Sequence, residues 1–378
     1  MNKFSLIIPT YQRPLEIERK LYHLKLQNCK SLIIIIDSST DNNLKKNKLT
    51  IERYKNQLDI NYFKVSKKVH FAQKIYKGIC KVTTKFCIIT FDDDFLNLKA
   101  VESGIKFLEK NKDYSNTSGH ILNHIKGKKI EPLRVPILGK SDIFDDDDPL
   151  IRCKKFLESQ KKRNLLFNVW KTVEIKSMFK PISKIKWKKY SELLFDFVAV
   201  CSGKSKFIDD IYEVRTTDYN KANYRSHGLP GFTSTFFEDL NDNNFYPTFS
   251  SMIEISANYI ARQLKISKDD AAKKIGNYYF LLRLNRILNK KESTFKPSLL
   301  FFRIFRLFFR LRYLFIILKP RNFLILIDVF SNYKYHDLGL IFNKDPKLNF
   351  CYYSLINNIS PYAKSYQHIH TAIKTYPN

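Results

Sequence analysis

Phe4–Ile8, Leu32–Ile36, Ile60–Val65 and Phe86–Phe91 are short apolar runs, and the stretches after the first and the third have apolar residues at helical spacing. Pro14 to about Gln27 sets Leu15, Leu21, Leu24 and Leu26 among charged residues, and Phe71–Cys80 also has a helical pattern. A run such as LIIII is too apolar to be half-exposed, so it predicts a strand covered on both faces. Buried strands alternating with helices predict a Rossmann-like α/β fold with a mostly parallel sheet and flanking helices. A helix is predicted over about Leu98–Asn111, followed by a less regular section from about 112 to 235. From about Ser250 to Leu288 the pattern is helical again, with Ser267-Lys268-Asp269-Asp270 as a cap ahead of Ala271. After Pro297 comes the apolar, arginine-rich segment Leu299–Leu318, stopped by Pro320. The expected units are 1–120, 121–245, a helical extension at 246–296 and a basic amphipathic region at 297–378.

Three polar clusters fall where these strands end: Pro9-Thr10-Tyr11-Gln12-Arg13, Asp37-Ser38-Ser39 and Asp92-Asp93-Asp94. In an open parallel sheet, loops and helix N-termini converge at the carboxyl ends of the strands, and ligands bind there. Asp37 alone would read as a helix cap or a solvated turn. Three consecutive aspartates after an apolar strand read differently, because like charges repel and a divalent cation with oxygen ligands relieves them. Magnesium or manganese bridging a diphosphate suits such a triplet. No glycine follows the first strand, which removes the dinucleotide-binding fingerprint. Gly203-Lys204-Ser205 looks like the end of a P-loop, but Val198 stands where that motif requires a glycine.

Charge changes the picture next. The chain carries 66 Lys+Arg against 36 Asp+Glu, a net +30, so it attracts nucleic acid, lipid head groups or phosphorylated substrates. Its abundance of Lys, Asn, Ile, Phe and Tyr also fits an AT-rich genome. The six cysteines are scattered without a CxxC pair, which predicts reduced thiols in the cytoplasm. The first apolar run is too short for a signal peptide, and no run of 18 or more uncharged apolar residues predicts a membrane span. Asp145–Asp148 reads as a solvated loop. His120 and His124 have zinc-like spacing without the accompanying glutamate, His368 and His370 lack further ligands, and His227 sits in a turn.

FSLIIPTYQRP, LIIIIDSSTD and FAQKIYKGICKVTTKFCIITFDDDF together resemble the start of the GT-A glycosyltransferases of family two, over about residues 4–110. The likeness is to a bacterial subgroup whose fourth strand ends in D-D-D-F and which occurs among surface-polysaccharide genes. The first aspartate of that family's second motif aligns here with Ile36, a departure that bears on the nucleobase. The resemblance implies a metal-dependent, inverting transfer from a nucleotide-sugar donor to a glycan or lipid-linked acceptor, with 1–120 holding the donor and 121–245 the acceptor. Pro9, Thr10, Tyr11 and Arg13 would line the nucleotide pocket, with Asp37, Ser38, Lys74 and Asp93 beside it. Asp92 and Asp94 form the D-x-D pair and would ligate a divalent cation, manganese or magnesium, with Asp94 its direct ligand. The base is expected roughly 90–110 residues later, at Glu192 or Asp196, which share a helical face; Arg215 would meet phosphate.

Two other classes share part of this pattern. A nucleotidyltransferase would share the sheet and the acidic site, but wants a glycine-rich basic loop after the first strand. A nucleic-acid-binding protein fits the charge and the aromatics, yet the arginines cluster near the C-terminus and no recognised nucleic-acid module is present. The expected partners are the donor, the acceptor and an anionic membrane surface, with no nucleic acid. In Leu299–Leu318, Arg303, Arg306 and Arg310 form one stripe of a helix rich in phenylalanine, the composition of an in-plane interfacial helix. The protein is therefore expected in the cytoplasm, peripheral on the inner face of the membrane.

Overall fold

The computed structural model describes residues 3–125, 144–158, 165–185, 191–217, 245–289, 355, 358 and 360–375. At its centre β1 (Phe4–Thr10) lies between β2 (Leu32–Asp37) and β4 (Phe86–Ile89), with β3 (Ile60–Lys64) outside β2, all parallel. Alternation explains why these strands are apolar throughout. Ile7, Ile34, Ile36, Cys87 and Ile89 face one core, shared with α3 (Phe71–Ile79). Leu6, Ile8, Ile33, Ile35, Phe86 and Ile88 face the other, against α1 (Pro14–Leu26), α2 (Asp41–Tyr54) and α4 (Leu98–Lys110).

The section expected to be irregular completes the sheet. β5 (Phe95–Leu96), β6 (Tyr114–Ile125), β7 (Val169–Lys171) and β8 (Lys204–Thr217) extend it to the order β3-β2-β1-β4-β7-β6-β8-β5 among the described residues. β7 runs antiparallel to both β4 and β6, and β5 antiparallel to β8, so the sheet is mixed. β6 spans residue 120, and its pairing with β7 and β8 joins the first two expected units in one sheet. α5 (Pro149–Glu158), α6 (Thr172–Ile182) and α7 (Ser191–Ser202) cover the first face together with α8 (Phe245–Leu264) and α9 (Lys268–Asn289). The cap predicted before α9 is present: Asp270 N donates to Ser267 Oγ at 3.0 Å.

α10 (Ala363–Thr375) packs Tyr366, Ile369 and Ala372 on Phe95, Leu122, Ile211 and Val214. The five described cysteines, Cys29, Cys80, Cys87, Cys153 and Cys201, are free thiols. Asp148 is more than a solvated loop residue, since its Oδ1 accepts the Leu150 amide at 2.8 Å and caps α5. Gly203 opens β8 against Ser115, where an added Cβ would collide, so packing accounts for that glycine. His120 Nε2 lies 2.8 Å from Asp209 Oδ1. Among the described residues no helix is long and apolar enough to cross a membrane. Leu299–Leu318 and His227 lie outside the described residues.

Candidate active site

The strand order reverses at β1, whose two neighbours are β2 and β4, and the three polar clusters meet at the carboxyl ends of these strands. Gln12, in the left-handed region at φ 59°, turns the first loop towards the second. Its amide donates to Ser39 Oγ at 2.7 Å, and its side-chain oxygen accepts from Thr40 N at 3.2 Å. Lys74, projecting from α3, donates to Ser38 Oγ at 2.6 Å and to the main-chain oxygen of Thr10 at 3.1 Å. The same ammonium lies 5.9 Å from the Tyr11 ring centroid, and Tyr11 is exposed. Pro9 pairs with Ile36 in the β1–β2 register.

Asp37 is fully buried. Its carboxylate accepts from Ser39 N at 2.6 Å, Asn47 Nδ2 at 2.8 Å and Tyr62 OH at 2.7 Å. Those three donors make Asp37 the anchor of the second loop, behind the buried Ser38 and Lys74 and the exposed Tyr11.

The triplet is held from four sides. Thr10 Oγ1 donates to Asp92 Oδ2 at 2.6 Å. Arg13 Nη1 reaches Asp92 Oδ1 at 3.2 Å and Asp93 Oδ2 at 2.7 Å. From α1, Arg19 Nη2 donates to the main-chain oxygen of Asp93 at 3.1 Å, and Lys20 Nζ to that of Asp94 at 2.8 Å and to Thr90 Oγ1 at 2.6 Å. From β8, Thr216 N donates to Asp94 Oδ1 at 3.2 Å and Thr216 Oγ1 to Asp93 O at 2.5 Å. The β5–β8 register opposes Leu96 to Glu213, which brings Glu213 next to the triplet. Glu213 Oε2 accepts from Arg215 Nε at 3.1 Å, and Arg215 stacks on Phe167 at 4.1 Å.

Burial and crowding of carboxylates set the electrostatics. Burial, reinforced by Asp93 and opposed by Arg13, pushes Asp92 up to about 6. Burial, with Glu213 and Asp93 adding to it, holds Asp94 well above the usual carboxylate range. Burial lowers Lys20 to about 8, against the pull of Asp94 and Glu213. Glu213 Oε1 is buried without a hydrogen-bond partner. An all-oxygen donor set this crowded fits a hard divalent cation. Among the described residues no three His, Cys, Asp or Glu side chains converge as a metal-binding group.

The structure thus brings Pro9, Thr10, Tyr11, Arg13, Asp37, Ser38, Lys74, Asp92, Asp93, Asp94 and Arg215 to one end of the sheet. Asp196 is buried on α7, where Oδ1 accepts the Leu165 amide at 2.8 Å. Glu192 lies in the first turn of α7, and its side chain is outside the described ones. Sequence reasoning missed Lys20 and Glu213. Lys20 shares the buried stripe of Ile17, Leu21 and Leu24, and Glu213 stands between the buried Tyr212 and Val214. A lone charge on a core-facing position was the available signal.

Residues 5–163, a little under half of the chain, match the family model for glycosyl transferase family 2. No curated protein matches the sequence. Among solved structures, S. aureus TarS 1-349 in complex with UDP-GlcNAc is similar at 16% identity, with 79% of this chain and 76% of that one covered and a TM-score of 0.45. The mannosyltransferase PcManGT from Pyrobaculum calidifontis, in complex with GDP-Man and Mn2+, is similar at 14% identity, with 76% and 80% covered and a TM-score of 0.40. Against a further S. aureus TarS structure, at 16% identity, a TM-score of 0.40 and 71% of this chain covered, the chain spans 44% of that chain's length.

Proposed function

We propose that this GT-A, family-two-like glycosyltransferase moves a sugar from a nucleotide-activated donor onto a hydroxyl of a glycan or lipid-linked acceptor in surface-polysaccharide synthesis. The observation that carries the reading is the bonding of the first loop to the triplet, Thr10 to Asp92 at 2.6 Å and Arg13 to Asp93 at 2.7 Å, at the ends of neighbouring parallel strands. Tyr11 offers an exposed ring for the base, and Lys74 a positive charge beneath it. Asp92 serves the ribose or a metal-bound water. Asp94, with Asp92, would hold manganese or magnesium. A bound divalent cation there neutralises charge on the departing nucleoside diphosphate.

The transfer is a single inverting displacement. The acceptor oxygen attacks the anomeric carbon, the bond to the diphosphate breaks, and the hydroxyl proton passes to a carboxylate on α7. Glu192 is the preferred base, because the Asp196 carboxylate already holds the Leu165 amide. Arg215, near the triplet on β8, is the candidate to meet donor phosphate. The spacing of Arg303, Arg306 and Arg310 in the sequence, which on a helix would give one stripe, supports work at an anionic membrane face on the cytoplasmic side. A thermal-shift screen of nucleotide-sugars and free nucleotides, with and without manganese, tests the donor. One nucleotide class should stabilise the protein in a metal-dependent way. Indifference to all of them in every metal condition would overturn the proposal.

A further inference from the structure

Beside the acidic site, a cavity of about 670 Å³ opens between the end of β3, α3 and the turn after α6. Its floor is apolar, with Ile36, Phe63 and Val65. Its rim is cationic: Lys64, Lys77, Lys81 and Lys184 line it together with His70, and no lining residue is acidic. All four lysines are exposed, and no carboxylate among the described residues forms an ion pair with any of them. Lys81 is fixed over the Phe63 ring at 5.0 Å, so its ammonium is held at the rim.

Lys74 on α3 turns to Thr10 and Ser38, while Lys77 on the same helix, with His70 just before the helix and Lys81 just after it, lines the cavity. We infer that this cavity binds a phosphate-bearing anion, at a site separate from the acidic triplet and requiring no metal. Lys77, Lys81 and Lys184, with no acidic residue among those lining the concavity, make it a positive patch that favours an anion. The ligand is either a soluble phosphate ester or a phosphate-bearing lipid head group.

Cys80 lies on the cavity wall and is exposed, whereas Cys29, Cys87, Cys153 and Cys201 are buried, so its alkylation reports on the cavity. The experiment is peptide-resolved iodoacetamide labelling of the full chain in EDTA at low salt. Its probes are pyrophosphate and, separately, phosphatidylglycerol vesicles, each against sodium chloride of equal ionic strength. Occupancy by pyrophosphate slows Cys80 labelling by about tenfold at ten times its dissociation constant. Slowing by vesicles alone assigns the ligand to a membrane lipid, and slowing by pyrophosphate to a soluble ester. Lys77→Glu with Lys81→Glu, and separately Lys184→Glu, should abolish the protection with melting temperature unchanged. Asp94→Asn should retain it, whatever becomes of donor binding. The inference is overturned if neither probe slows labelling, if both charge-reversed proteins are still protected, or if protection disappears in Asp94→Asn.

Discussion

Lys20 Nζ lies 2.8 Å from the main-chain oxygen of Asp94 and 2.6 Å from Thr90 Oγ1, so one buried ammonium ties α1 to both ends of the turn that carries the acidic triplet. It also offsets the charge of Asp94 and Glu213 where water does not reach. Lys20→Met should therefore destabilise the protein by about 3–5 kcal/mol, the usual effect of removing one partner from a buried charged group. Denaturant melts check this. Adding Glu213→Gln should recover part of the loss. Strictly additive losses would show that Lys20 and Glu213 do not interact.

Asp94→Asn separates chemistry from folding. The amide oxygen keeps the acceptor for Thr216 N, 3.2 Å away in the native protein, and the charge beside Glu213 and Asp93 is removed. The expected result is a melting temperature equal to or above that of the native protein, with transfer lowered by at least about two orders of magnitude. Near-native turnover would remove Asp94 from the metal site.

How much of this was legible beforehand follows from what each segment buries. The strands up to Ile89 and the helices α1, α3 and α4 were legible because each packs a continuous apolar run or stripe into a core. β4 ends at Ile89: Thr90 N makes the last ladder bond, to Ile7 O at 3.0 Å, and Phe91 begins the turn that Asp94 N closes on Phe91 O. α2 was missed because its inner face buries Asn47 and Thr50 beside Ile51 and Tyr54, which dilutes the apolar period. β7 has three residues, too few for any period to show. In the site, the residues of the loops stood out as polar breaks after apolar strands. Lys20 and Glu213 did not, because their function depends on register across β5 and β8 and on the crossing of α1, which local pattern does not carry.

The two carboxylates of α7 should separate by phenotype. Asp196→Asn keeps an oxygen to accept from the Leu165 amide and removes only the charge, so it should leave the chemical rate near that of the native protein. Glu192→Gln should leave donor affinity unchanged and lower the chemical rate by about two to four orders of magnitude. Single-turnover kinetics and donor titration distinguish the cases. A rate loss confined to Asp196→Asn would exchange the roles, and full rates in both variants would place the base elsewhere.

The last prediction concerns acid. His23 on α1 and His368 on α10 stack with ring centroids 5.3 Å apart, and His23 Nε2 lies 2.9 Å from the main-chain oxygen of Leu96. His23 Nδ1 and His368 Nε2 are buried without hydrogen-bond partners, so a proton added at either has nothing to bind. The cations facing the pair make this worse: Lys20 and Arg19 act on His23, and Lys99 acts on His368. Burial foremost, then these charges, lowers His23 well below its ordinary value and His368 to about 4. The unfolded chain takes up protons near pH 6.5 while the folded chain does not, so stability from the pair is complete above about pH 6.5 and is lost as the pH falls towards 4. Asp92, raised to about 6, acts with the opposite sign and gains stability on acidification, so the comparison must be made between proteins that both retain it. His368→Phe keeps a ring on His23 and removes one titration. Hydrogen exchange of α10 amides should accelerate between pH 6.5 and 4 in the native protein, and markedly less in His368→Phe. Equal acceleration in both would show that the stack does not couple α10 to pH.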